Sequence, residues 1–172
     1  MEKTAFMKQK QKVSKINFYF GRFLLLRYLL AAFFFSNIYW TLMLVMAKSF
    51  YCIVPIGLLV LSLFGIAEHL KLYGDTSNTK DQALKYSLLY QKCQLFLNAG
   101  LILATAFDSS YKSLFPFLLA NSLAKGILVL VLFTGIVLSW VVISRINRIR
   151  KNQDKYYGYL QEFNKLSENE SE

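Results

Sequence analysis

Long apolar runs alternate with short charged segments along the 172 residues of this chain. A helix that crosses a bilayer needs about 20 mostly apolar residues, and four runs reach that length. They extend from Leu24 to Ala47, from Phe50 to Leu70, from Tyr86 to Phe107 and from Gly126 to Ser144. A soluble core does not require so many long apolar runs in so short a chain. The pattern therefore predicts an all-α polytopic membrane protein built as a bundle of four transmembrane helices.

The segments before and after the second span contain residues typical of turns and helix starts. Only Lys48 and Ser49 separate it from the first span, which predicts a tight hairpin. After the second span, residues 74–78 have turn chemistry. Thr79 and Gln82 then form a capping-box pattern, so the third helix is expected to begin near Lys80, before it enters the membrane.

A shorter apolar run precedes the fourth span. The residues from Leu114 to Leu123 contain Pro116 and are too few to cross a bilayer. They favour an interfacial or re-entrant segment. A long, broken fourth span that starts at Leu114 is the alternative.

Lysine and arginine are distributed unevenly between the connections. The N-terminal, central and C-terminal segments carry seventeen of them, and the other side carries Lys48, Lys112 and Lys125. Because positively charged connections stay in the cytoplasm, the asymmetry predicts that both termini are cytoplasmic. The predicted location is the plasma (cytoplasmic) membrane. A composition rich in Lys, Asn, Phe and Tyr is compatible with a bacterial genome of low GC content.

The sequence predicts three regions in the chain. Residues 1–23 form a basic amphipathic segment, expected to be an interfacial helix because its apolar side chains share one face. Residues 24–144 form the transmembrane domain. Residues 145–172 form a cytoplasmic helix and an acidic tail. The net charge of +10 would suit nucleic acid, but these basic residues flank apolar spans, where they face anionic lipid headgroups. Lipid is the expected partner, and nucleic acid is not.

Two sets of intramembrane polar residues are candidates for function. Arg27 and Glu68 reach the same depth in a hairpin that turns at Lys48, so an ion pair is expected, chiefly as a structural link. The third span carries a polar stripe within about 100° on a helical wheel. Its members are Gln91, Gln94, Asn98, Thr105 and Asp108. The stripe is interpreted as interhelical hydrogen bonding, with Asn37 as a partner for Asn98, and a water-filled path is the alternative.

Further candidates lie in the fourth span and beyond it. Gly135 and Ser139 form a small-xxx-small pair that allows close helix approach. The C-terminal segment has an apolar stripe at spacings of three and four, which would pair with another chain or lie on the membrane. Its apolar members are Ile146, Ile149, Tyr156, Leu160 and Phe163, and the polar Gln153 occupies the position between Ile149 and Tyr156.

Signatures of enzymes are missing from the sequence. It has no HExxH, GxSxG or phosphate-binding glycine loop, and its cysteines, Cys52 and Cys93, are single. No catalytic residue, cofactor or metal site is expected. The sequence favours a non-catalytic membrane subunit, such as a transport-system accessory or an immunity-type protein, with a protein partner or a second copy. The alternative is a small oligomeric transporter or channel, with the polar face of the third helix lining the path.

Overall fold

The computed structural model describes the backbone of residues 2–74 and 84–151 and of three single positions, Gln153, Gly158 and Gln161. Side chains are described from Gly21 onward, except at 22, 73 and 74. The helices in these ranges are α1 (Glu2–Met46), α2 (Ile53–Gly74), α3 (Lys85–Thr105), α4 (Asp108–Leu114) and α5 (Ser122–Arg150), with a 3₁₀ turn at Phe50–Cys52. No strand occurs in the described part of the chain, so the predicted all-helical class is confirmed.

Three helical stretches within the described ranges are long and apolar enough to cross a membrane. They are Phe23–Met46, Phe50–Leu72 and Ser122–Arg150. Their length and composition indicate a membrane protein. The remaining long helix, α3, is not among the three, because its 21 residues include two lysines and four members of the polar stripe.

The helices pack in a ring. α1 packs on α2, α2 on α3, and α3 most extensively on α5, whereas α1 and α5 have few close approaches. α1 therefore lies diagonally across from α3. The side of the bundle between α1 and α5 is the least closed.

Apolar clusters follow one another along the bundle, between an Arg27 end and a Lys48 end. Phe23 and Leu26 of α1 pack near Val142, Ile146 and Ile149 of α5 at the Arg27 end. The middle cluster consists of Leu30, Phe33, Leu58 and Tyr90. The cluster at the Lys48 end consists of Leu101, Tyr111, Phe115 and Leu132.

α1 is a single helix of 45 residues, which continues from the predicted N-terminal segment into the first span without a break. Residues 2–46 contain no proline, and an isolated glycine such as Gly21 disfavours a helix by only about 1 kcal/mol. Nothing in the sequence therefore interrupts the helix. It ends at Met46, and Lys48 follows in the left-handed region with φ 51°. The tight turn predicted at Lys48 and Ser49 is confirmed.

α3 begins at Lys85, later than the expected start near Lys80. Leu84 precedes it in the left-handed region with φ 69°, a conformation that a right-handed helix does not pass through. The predicted capping box at Thr79 and Gln82 lies outside the described residues.

α4 and the coil 115–121 cover the Lys48 end of the bundle. The indole Nε1 of Trp40 donates to the Leu114 carbonyl at 3.4 Å, and its ring stacks on Phe115 with centroids 5.7 Å apart. The Ser49 hydroxyl donates to the Ser113 carbonyl at 3.1 Å. The segment is thus tied to the α1–α2 turn.

The run Leu114–Leu123 is divided between the end of α4, the coil 115–121 and the start of α5. Pro116 disfavours helical conformation at the residue before it, and α4 ends at Leu114. α5 begins at Ser122, where the Asn121 side chain accepts from the Ala124 amide at 2.7 Å. The fourth apolar helix therefore starts four residues before the expected Gly126, and it does not start at Leu114.

Candidate functional site

The polar stripe of α3 divides between the interior and the surface. Gln91, Gln94, Asn98 and Thr105 are all buried in the bundle. Asp108 is the exception, because α3 ends at Thr105 and the exposed Asp108 starts the next helix, α4. The helical wheel assumed one continuous helix through position 108, and it therefore assigned Asp108 to this face incorrectly.

A chain of amides crosses the bundle from α1 to α3. The Nδ2 group of Asn37 lies 3.0 Å from the Oε1 of Gln94 and 3.1 Å from the hydroxyl of Tyr90. The Nε2 group of Gln94 donates to the Oδ1 of Asn98 at 3.1 Å. Asn37 thus reaches Asn98 through Gln94, whereas a direct contact is predicted from the sequence. Tyr90, which the spacing of polar residues does not single out, belongs to the same network and lies four residues before Gln94.

Asn98 lies at the closest approach between α3 and α5. A Cβ atom added to Gly135 would overlap with the Nδ2 of Asn98, so only glycine leaves room for the amide. Ser139, one turn further along α5, is completely buried. The predicted small-residue pair thus lies where α3 and α5 pack.

A cavity of about 570 Å³ lies between α1 and α5. The Asn37, Gln94 and Asn98 side chains form its polar floor, and Phe115 and Phe117 belong to its wall toward the Lys48 end. Exposed residues also line it, among them Tyr39, Leu130 and Val131. Because these exposed residues belong to α1 and α5, the cavity opens sideways through the least closed side of the bundle.

Two buried polar groups next to the amide chain have no hydrogen-bond partner among the described residues. Gln91 is 0% exposed, and both its Nε2 and its Oε1 lack a partner. The Ser139 hydroxyl is in the same situation. Buried polar groups in proteins are usually hydrogen-bonded, so Gln91 and Ser139 are exceptions among the described residues.

Glu68 binds the first turn of α3. Its carboxylate accepts from the backbone amide of Lys85 at 2.7 Å and from that of Ser87 at 3.0 Å. Leu84 has no side chain that can cap the helix, so α2 supplies the acceptor from outside the helix. Because the capping residue belongs to another helix, the sequence around the start of α3 contains no signal of the cap. The predicted contact between Arg27 and Glu68 stays a prediction.

His69, next to Glu68, is buried between the helices. Its Nε2 lies 3.3 Å from the Ser87 hydroxyl, and Arg27 is within electrostatic range of the ring. α2 thus contacts the start of α3 through two neighbouring polar side chains. No group of three or more His, Cys, Asp or Glu side chains lies together in the described part of the chain. A lone histidine does not make a metal site.

Asp108 takes part in a charged cluster at the Lys48 end. The Lys125 ammonium donates to its carboxylate, and the same ammonium lies 5.3 Å from the centroid of the Tyr111 ring. The Lys125 hydrogen bond and charge lower the pKa of the Asp108 carboxyl. Tyr111 is buried and donates to the Leu119 carbonyl at 3.0 Å. The cluster joins α4, the coil 115–121 and the first turn of α5.

The predicted C-terminal pairing stripe begins inside the bundle. Ile146 and Ile149 are buried in the cluster with Phe23 and Leu26 of α1, so their side chains are already covered by this chain. The other members of the stripe, Tyr156, Leu160 and Phe163, lie outside the described residues. Sequence spacing alone did not distinguish a partner chain from α1.

No protein-family model, curated protein or solved structure matches this chain.

Proposed function

We propose that this chain is a four-span protein of the cytoplasmic membrane and serves as a non-catalytic subunit that accompanies or stabilises a larger membrane complex. The observation that carries the proposal is the hydrogen-bonded chain Asn37–Gln94–Asn98. These amides bind one another across the bundle, which is what interhelical hydrogen bonding requires. A solute path would instead need polar groups free to exchange partners with a passing solute.

The assignment of α3 as the fourth span rests on its length and its outer face. Its 21 residues give about 32 Å at 1.5 Å per residue, close to the ~30 Å of a hydrocarbon core. Its polar stripe is buried, while Phe96 and Leu103 are exposed. Lys92, exposed nearer the start of the helix, has a side chain long enough to reach the headgroups.

The orientation rests on the charge asymmetry between the two ends. The three lysines of the smaller group are at the α1–α2 turn, in α4 and in the first turn of α5: Lys48, Lys112 and Lys125. The seventeen other lysines and arginines lie in the segments assigned to the cytoplasm. A periplasm-dependent reporter fused after Glu172 is expected to stay inactive, and the same reporter inserted after Ser110 in α4 is expected to be active. Activity of the Glu172 fusion would contradict the proposed topology.

The subunit role is tested by purification in a mild detergent without crosslinking, followed by mass measurement of the intact assembly. A stoichiometric foreign protein, whose own level falls when this chain is deleted, is the expected result. A homo-oligomer without a foreign protein would favour the second candidate function, a small transporter or channel. The observation that favours this candidate is the fully buried amide of Gln91 without a partner.

Cysteine labelling separates the two functions at the level of α3. In a background that lacks Cys52 and Cys93, single cysteines at positions 94, 98 and 105 are expected to resist water-soluble thiol reagents. A cysteine at exposed Ser109 serves as the positive control. Rapid labelling at 94 and 98 would show a water-filled path and would overturn the packing role.

A further inference from the structure

The proposed packing role uses the amides on the floor of the cavity between α1 and α5 but does not account for the cavity itself. Its volume of about 570 Å³ falls within the ~300–1,000 Å³ typical of small-ligand sites. A transmembrane helix, about 10 Å across with its side chains, would not fit in it. Because the cavity opens between two membrane-spanning helices, a ligand that enters by this route comes from the lipid phase.

The lining restricts the ligand to a neutral molecule. Among the described residues that line the cavity, none carries a charge. An ionised group placed there would lose its hydration without an opposite charge to compensate. Five aromatic side chains contribute to the walls: Phe33, Tyr39, Trp40, Phe115 and Phe117. Such a lining suits a planar or flexible apolar body.

The floor of the cavity provides a hydrogen-bond donor. The Oε1 of Gln94 accepts a hydrogen bond from the Nδ2 of Asn37, and the Nε2 of Gln94 donates one to the Oδ1 of Asn98. This order leaves the Nδ2 of Asn98 at the end of the chain, where it donates to no acceptor among the described residues. Asn98 is only 5% exposed and lines the cavity together with Gly135, so a ligand group that accepts a hydrogen bond would complete the network.

We propose that this cavity binds one neutral, membrane-dissolved amphiphile through a carbonyl oxygen that accepts from the Nδ2 of Asn98. The apolar chain of the ligand passes out between α1 and α5 into the bilayer. Two kinds of membrane molecule have this chemistry, an isoprenoid quinone and a diacylglycerol. Both combine carbonyl oxygens with long apolar chains and carry no charge.

The two tryptophans of the chain give a matched pair of reporters. Trp40 lines the cavity, whereas Trp140 of α5 is 67% exposed and lies outside it. The variant W140F keeps only the cavity reporter, and W40F keeps only the surface reporter. Each full-length variant is reconstituted in lipid vesicles and titrated with decylubiquinone or with a diacylglycerol that carries brominated chains, both of which quench tryptophan fluorescence.

At least one of these two probes is expected to quench Trp40 in a saturable way at low mole fraction. Trp140 is expected to show only unsaturable, collisional quenching. Saturation by the quinone alone, by the diacylglycerol alone or by both supports the proposal and identifies the source. 1-Bromododecane, which has no carbonyl, is expected to quench both reporters without saturation. Saturable quenching of Trp40 by bromododecane, or no saturation by either carbonyl probe, would overturn the proposal.

Two substitutions in the W140F background test the contact itself. N98L removes the donor, and the half-saturating mole fraction is expected to rise about tenfold, the equivalent of one hydrogen bond. S36F places a ring at an exposed position on the cavity rim, and it is expected to abolish saturation while the melting temperature stays unchanged. S36F decides the question if N98L does not fold. Unchanged saturation in a folded S36F protein would show that the probe binds elsewhere.

Discussion

Gly135 of α5 lies directly against the side-chain amide of Asn98 in α3, and a methyl group at position 135 would overlap with the Nδ2 of that amide. The backbone of α5 therefore forms the surface on which Asn98 rests. Close backbone approach at small residues is a main source of helix association in membranes, where apolar burial no longer distinguishes protein from lipid. The pair links the polar centre of the bundle to its tightest helix contact, since α3 packs most extensively on α5.

The close contact predicts that Gly135→Ala destabilises the folded bundle. Overpacking a tight contact costs about 1–3 kcal/mol in protein interiors, and the amide of Asn98 would have to shift in order to relieve it. Reversible unfolding in detergent or bicelles measures the change in free energy. Gly126→Ala in the same helix is the control, because a Cβ there meets nothing within 4 Å.

A second substitution tests the cause of that loss. Asn98→Ala removes the amide that Gly135→Ala displaces, so the double variant is expected to be less destabilised than the sum of the two single variants. Additive losses, or an equal loss in Gly126→Ala, would show that the glycine acts through helix propensity or in some way other than its contact with Asn98.

The amide chain predicts energetic coupling between α1 and α3. In a double-mutant cycle of Asn37→Leu and Gln94→Leu, the coupling free energy is expected to be about 0.6–1.7 kcal/mol, the range of interhelical hydrogen bonds in membranes. The pair Asn37→Leu and Thr105→Val is the control, because the Thr105 hydroxyl donates to its own helix, at the Ile102 carbonyl. Coupling of zero in the first cycle would remove the amide chain as a stabilising link.

The sequence predicted the features that depend on local pattern. Apolar run length located α1, α2 and α5, and the short polar break at Lys48 and Ser49 located the turn. The spacing of polar residues along α3 predicted one common face, and Gln91, Gln94, Asn98 and Thr105 are indeed buried together.

Features that depend on contacts between distant segments could not be predicted from the sequence. The cap that Glu68 provides for α3 joins residues in different helices, and Leu84, a poor capping residue, gives no hint of it. The contacts of Ile146 and Ile149 could not be predicted for the same reason. A heptad-like spacing indicates an apolar face, but it does not indicate which segment packs on that face. The cavity arises from how α1 and α5 diverge, and no residue pattern encodes that divergence.

The charged cluster at the Lys48 end predicts a modest pH dependence of stability. Lys125 lowers the pKa of Asp108 below its ordinary value of 3.8. Because the folded-state pKa is depressed, the stabilisation is present above the ordinary pKa and is lost as the pH falls through the folded-state value. The melting temperature of Asp108→Asn is therefore expected to lie slightly below that of the wild type at neutral pH and to converge with it in acid. The difference is expected to be small, because Asp108 is 76% exposed.

Lys125→Gln provides the matched test of this pH dependence. Without the ammonium, the Asp108 carboxyl is expected to titrate nearer its ordinary pKa in NMR, and the acid-dependent difference in melting temperature is expected to disappear. A difference between wild type and Asp108→Asn that persists unchanged in acid in which NMR shows the Asp108 carboxyl to be protonated would exclude the pairing as its source.

The external cap on α3 predicts a defined loss when the Glu68 carboxylate is replaced. Glu68→Ala leaves the amides of Lys85 and Ser87 without their acceptor, and loss of a cap costs about 0.5–2 kcal/mol. Glu68→Gln keeps one acceptor oxygen but no negative charge, so an intermediate loss is expected at this positive helix terminus. Lys71→Gln, an exposed change on the same helix, is the control and is expected to stay within about 0.5 kcal/mol of the wild type.

Hydrogen exchange at single amides separates the cap from the ion pair that the sequence predicts between Arg27 and Glu68. A cap protects the amides of Lys85 and Ser87 directly, so both are expected to exchange faster in Glu68→Gln and to remain protected in Arg27→Gln. An ion pair adds a separate signature, in which removing both charges destabilises the bundle less than removing Glu68 alone, because no unpaired charge remains. If protection falls equally in Arg27→Gln, the carboxylate depends on Arg27 for its position, and the cap is a consequence of the ion pair.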